Sequence, residues 1–205
     1  MLELHALTLF YTARIGGDLH LLPQLYTFLT QLAAKQPRKP LLLDIGESCS
    51  PEVWPCEVTG GRSTLIVLDG MGYHAANAEG VLAEGERYKL QGATSMGVVD
   101  ARYSWRYDVP PIRDEDIVIS LLPEPTLHLN IVLQGTDATT LSNRTLRLQQ
   151  VDKRQVGIVE VDLKDEPRLV SMQVVAMPSG LRPDPTISAA VDFVEDEARY
   201  LESRR

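Results

Sequence analysis

Up to Gly135 the chain strings short unbroken apolar runs between stretches of helical spacing, and after Thr140 apolar and polar positions alternate instead. The run Leu41-Leu42-Leu43-Asp44-Ile45-Gly46-Glu47 is the clearest of the first kind. A continuous apolar run that short reads as a strand buried on both faces. Residues 2–12 read as an earlier strand, broken by Gly16-Gly17. Asp18 is placed to cap a helix marked by Leu22, Leu25, Tyr26, Leu29 and Leu32, which predicts a β-α-β crossover into the strand at 41–45. Loop signals fill 48–61, a second helix is predicted over 62–71, and weaker helical spacing covers 81–89. The Tyr-, Trp- and Arg-rich segment 101–111 reads as a surface loop ahead of two buried strands, 116–122 and 129–135. The alternating half predicts strands at 145–151, 156–163 and 168–176, joined as an antiparallel meander through 152–154 and 164–167. A last helix is capped by Asp184 and carries the stripe Ile187, Ala190, Val191, Val194, Ala198 and Leu201.

Open α/β sheets meet ligands beyond the carboxyl ends of their strands, so Asp44, Gly46 and Glu47 stand at the expected crevice. A length of 205 residues suits one domain, residues 1–205. The net charge of -8 argues against nucleic-acid or anionic-membrane partners, which need clustered Lys and Arg. No apolar run reaches the roughly 20 residues of a membrane span, and the N-terminus lacks the pattern of a secretory signal, so the expected location is cytoplasmic. In that compartment Cys49 and Cys56, whose spacing fits neither a CxxC pair nor a zinc site alone, are expected to be separate reduced thiols.

Taken together, these segments resemble the calcineurin-like metallophosphoesterases, in the branch of 5′-nucleotidases and 2′,3′-cyclic phosphodiesterases. The likeness runs through the strand ending at Thr12, Gly16-Gly17, the strand with Gly46-Glu47, the helix leading to Gly72-Tyr73, Ala76-Asn77-Ala78-Glu79, and the strand leading to Gly135-Thr136-Asp137-Ala138. This resemblance implies an α/β fold, a four-layer αββα sandwich of two mixed sheets flanked by helices. It also implies a dinuclear metal centre, and there the chain departs from the pattern. Arg14 and Gly16 stand where the family carries Asp-x-His, Glu47 replaces an Asp, Ala78 replaces a His, Leu122 or Pro123 falls at the isolated His, and Gly135-Thr136-Asp137-Ala138 replaces Gly-His-x-His.

Two cations roughly 3.5–4 Å apart need several imidazoles and carboxylates, and a fixed guanidinium in the same pocket repels them. The sequence therefore implies a non-catalytic pseudo-phosphoesterase, a binding or interaction domain with no cofactor, no bound metal and no catalytic residue. Its vestigial pocket would comprise Arg14, Glu47, Asn77 and Asp137, with Arg14 either paired to Glu47 or Asp137 or free to take a small anion. A rebuilt single-metal phosphoesterase site from His74, Glu47, Cys49, Cys56 and Glu79 is the alternative. Self-association through the Tyr103, Trp105 and Tyr107 loop or an exposed strand edge is a third reading, with a protein partner or a second copy as the occupant.

Overall fold

The computed structural model describes residues 6–83, 85–108, 117–126 and 128–205. As expected, two mixed sheets pack face to face with flanking helices, but among the described residues the helices all lie on the outer face of the first sheet, so the expected fourth layer is not among them. The first sheet has six strands in the order β11-β10-β1-β2-β3-β4: Arg168–Ala176, Gln155–Asp162, Ala6–Thr12, Leu41–Asp44, Ala75–Asn77 and Gly97–Val99. Within it β1, β2, β3 and β4 are parallel, β10 is antiparallel to β1, and β11 is antiparallel to β10. The second sheet has the order β5-β6-β7-β9-β8: Trp105–Tyr107, Ile117–Ser120, Leu129–Thr136, Thr145–Gln149 and Thr140–Ser142.

Strand alternation separates two cores. On β1, Leu9 and Tyr11 point between the sheets, where they meet Leu43, Ile119, Ile131 and Leu146. Phe10 points the other way, into a cluster with Leu25, Leu65, Leu68 and Val191. That second cluster is roofed by α1 (Leu22–Ala33), α3 (Arg62–Gly70) and α5 (Pro185–Glu202). Two short helices, α2 (Trp54–Thr59) and α4 (Glu86–Gln91), belong to the same side: α2 packs on α3 and α5, and α4 buries Leu90 in the cluster. Among the described residues no helix lies on the outer face of the second sheet, where Asn130 holds the chain instead. Its amide donates to Val118 O and Ser120 Oγ, and its Oδ1 accepts from Glu124 N.

Several sequence expectations are corrected. Asp18 does not cap a helix; a 3-10 turn, Leu19–Leu21, precedes α1, and the Asp18 carboxylate pairs with Lys153 Nζ at 3.0 Å. The segment 152–154 is not a hairpin turn, because β9 pairs with β7 and β8 whereas β10 leaves for the other sheet and pairs with β1. Only β10 and β11 form the expected hairpin. The loop 48–61 contains α2, whose Pro55 and Gly60 punctuate a helix rather than exclude one. Trp105 and Tyr107 form the edge strand β5 and stack on each other, while Tyr103 alone of the three is exposed. At the far end, α5 starts as its sequence dictates, with the Asp184 carboxylate accepting from Thr186 N and Ile187 N.

Candidate functional site

The carboxyl ends of β1 and β2 do not simply stop. Ile45 N donates to Thr12 O, Arg14 N to Gly46 O, Gly16 N to Glu47 O and Gly17 N to Ser48 O, so the loops after the two strands stay zipped together for several residues. Holding that register forces unusual backbone. Arg14 and Glu47 have φ values of 58° and 57°, and Gly46 lies at 125° with Asn77 Nδ2 2.9 Å from where a Cβ would stand. Left-handed conformations cost a non-glycine residue roughly 1–2 kcal/mol each, and such strain gathers at functional sites.

The strained pair faces one cavity of about 300 Å3, lined by Arg14, Glu47, Cys49, Ser50, Glu79 and Val81 among others. Arg14 Nε lies 3.5 Å from Glu47 Oε2, and its Nη1 donates to Asp152 Oδ1 at 3.2 Å. With Arg14 and Glu47 side chains 47% and 68% exposed, these pairs contribute at most about 1 kcal/mol each. The residues expected in the pocket are thus only partly brought together. Arg14 and Glu47 meet as anticipated. Asn77 is buried and spent: its Nδ2 donates to Ile45 O and Leu133 O, and its Oδ1 accepts from Glu79 N, tying the two sheets together. Asp137 is an exposed residue in the turn after β7 and does not line the cavity; Asp152, on the crossing from β9 to β10, takes the role expected of it. Asp152 lies in a segment that reads as an ordinary turn, and only the sheet crossing carries it to Arg14.

Asp44, also expected at the crevice, is sealed beneath it. It is fully buried, accepts from Thr12 Oγ1 at 3.1 Å and from Gly46 N at 3.1 Å, and through Thr12 it connects to the buried Tyr73 hydroxyl, 2.9 Å away. Burial pushes its carboxyl up to about 8, against the lowering effect of those hydrogen bonds, and Glu47 adds to the rise. Burial raises the Tyr73 phenol as well.

The candidate replacement metal site does not assemble. Cys49 and Cys56 form a disulfide with Cα atoms 5.7 Å apart, not two free thiols, because α2 folds Cys56 back beneath Cys49. Gly17 allows this, since a Cβ there would stand 2.6 Å from Cys56 Sγ. Hydroxyls of Ser63 and Thr64 contact the sulfurs at 3.3–3.9 Å. His74 precedes β3 at the opposite end of the strands from Glu47, where its Nδ1 accepts from Leu42 N and its ring packs edge-on against Tyr107. Burial, and then Lys39, lower its pKa, against the raising effect of the bond with Leu42 N. His20 lies beside Glu195, the His128 backbone donates to Thr126, and His5 lies outside the described residues. Among the described residues no group of three or more His, Cys, Asp or Glu is arranged to hold a metal ion. The residues where the resemblance implies a dinuclear centre do not fit one: they offer a guanidinium, an exposed carboxylate and an amide whose nitrogen already donates twice and whose oxygen already accepts once.

No family model matches the chain, and no curated protein matches it in sequence. Solved structures do match. A 5′-nucleotidase precursor from Thermus thermophilus superposes with a TM-score of 0.66 at 15% identity, over 95% of this chain and 59% of its own. The NAD nucleotidase of Haemophilus influenzae superposes with a TM-score of 0.59 at 9% identity, over 95% of this chain and 68% of its own. The chain therefore has the two-sheet α/β fold of these nucleotidases while spanning about three fifths of the length of the first of them.

Proposed function

We propose that this chain is a pseudo-phosphoesterase, a domain of the nucleotidase fold that binds a ligand or partner and does not hydrolyse phosphate esters. The observation that carries the reading is the guanidinium of Arg14 beside the carboxylate of Glu47, on the strained loops where the resemblance implies two cations. A fixed positive charge about 4 Å away opposes a divalent ion by roughly 2 kcal/mol in water and by more as the local dielectric falls, and Arg cannot lose its proton to make room.

The charges also bear on what the pocket takes. One guanidinium against the carboxylates of Glu47, Glu79 and Asp152 leaves the rim net negative. That disfavours the small anion the sequence suggests and favours a cationic or zwitterionic group, including a Lys or Arg side chain of a protein partner. No helix among the described residues is long and apolar enough to cross a membrane. Buried disulfides persist in oxidising surroundings, so we place the working chain in an oxidising compartment and not in the cytoplasm.

The test is direct. Purified protein supplied with Mn2+, Zn2+ or Fe2+ is expected to give no turnover of bis(p-nitrophenyl) phosphate, AMP or NAD above metal in buffer, and AMP is expected to leave the melting temperature unchanged. Metal-dependent turnover that disappears in Glu47→Ala would overturn the proposal.

A further inference from the structure

A second cavity, of about 250 Å3, opens at the other end of β2 from Glu47, between α1, α3 and the residues that lead into the strand. Tyr26 and Leu29 of α1, Leu42 of β2 and Met71 give it apolar walls, and the exposed Lys39 completes the lining. Gly70, the exposed last residue of α3, is part of the lining. A Cβ at Gly70 would meet nothing within 4 Å, and its φ lies outside the left-handed region, so backbone conformation does not demand a glycine there.

The charge in the lining of this cavity is of one sign. Residues 19–43 contain none of the 28 acidic residues of the chain but do contain Lys35, Arg38 and Lys39, and no acidic side chain lines the cavity. Asp69, which precedes Gly70, has its Oδ1 engaged by Ser95 N, Ser95 Oγ and Met96 N. An apolar slot with a lone ammonium group in its lining matches a ligand that is apolar along its length and negative at one end, and its volume suits a small one.

The geometry points to this cavity as a binding site for a small amphiphilic anion, a carboxylate on a medium-length acyl chain, with its tail between α1 and α3 and its head group at Lys39. This assignment is independent of the Arg14 pocket.

Octanoate titrated into the full chain by calorimetry is expected to bind one site with a dissociation constant on the order of 0.1–1 mM, as suits a ligand of that size. Acetate, which lacks the tail, should not bind, and octanol, which lacks the charge, should bind several-fold more weakly. Lys39→Glu should weaken octanoate about tenfold and leave octanol unchanged. Gly70→Leu fills open space at a helical position, so it should keep the fold, checked by circular dichroism, and abolish binding of both; Arg14→Ala should change neither. No octanoate binding at 10 mM overturns the proposal, as do undiminished affinity in a folded Gly70→Leu protein, octanol binding as tight as octanoate, and loss of binding in Arg14→Ala.

Discussion

Arg14 and Glu47 stand side by side on the loops after β1 and β2, and both are in a backbone conformation that L-residues avoid. The conformation comes from the loop ladder between the ends of β1 and β2, so it persists whatever side chain stands there. Relief of left-handed strain, roughly 1 kcal/mol, exceeds the few tenths of a kcal/mol contributed by an exposed ion pair. Glu47→Gly is therefore expected to hold or raise stability by up to about 1 kcal/mol in urea unfolding, although it deletes the contact with Arg14; a loss of similar size would show that the pair matters more than the strain. Asp44 gives a second prediction, in pH. Its folded pKa, about 8, lies above the ordinary carboxylate value, so the folded state holds a proton that the unfolded state releases. Its stabilising contribution is complete below pH 4 and is lost as pH rises towards 8, at about 1.4 kcal/mol per unit. Asp44→Asn keeps an acceptor for Gly46 N and an amide for Thr12, and cannot ionise. It should match the wild type near pH 4 and melt at a higher temperature at pH 8; melting curves that stay parallel across that range would show that Asp44 is ionised throughout.

At the scale of elements, the segment between β2 and α3 is where local reading fails and tertiary contact takes over. Six residues of helix α2 are too few to be stable alone. The Cys49–Cys56 bond, the packing of α2 on α3 and α5, and the left-handed Gly60 that ends it hold it in place. Closing a loop of that length, with a sequence separation of 7, removes about 2.5 kcal/mol worth of unfolded-chain entropy. Reduction of the disulfide, or Cys49→Ser with Cys56→Ser, is thus expected to lower the melting temperature by about 5–10 °C. The unreduced native protein should show no thiol that reacts with maleimide. By contrast, α5 needs no such help: its cap, its proline at the first turn and its apolar stripe all agree, and Ile187, Val191, Val194 and Ala198 are buried as their spacing requires.

For the whole molecule, the sheet has two ends with different chemistry. At the carboxyl ends of the parallel strands, loops carry Arg14, Glu47, Glu79 and Asp152 around one cavity; at the amino ends, an acid-free stretch of chain borders another. The buried strands, the crossover helix and the closing helix were legible because each writes its burial into residue spacing: β2 has no polar residue before Asp44, and α5 repeats its apolar positions every three or four residues. The departure from the pattern that the resemblance implies was legible too, since Arg14 and Ala78 are not metal-ligating side chains. The second partner of Arg14 was not: Glu47 was expected and is there, but Asp152 stands in place of Asp137 because β10 left the second sheet to pair with β1, an event governed by which apolar faces bury together. Sheet stacking also hid the fate of Asn77, whose amide bridges Ile45 and Leu133 across the two sheets, while the disulfide was hidden by the short helix α2 inside a segment that reads as loop. Sequence by itself thus determined the buried strands, the crossover helix and the closing helix, because those follow from side-chain identity and local periodicity. Which polar groups stand together was decided only by the folded chain, because contacts between residues far apart in sequence depend on the stacking of sheets and not on any pattern within a segment.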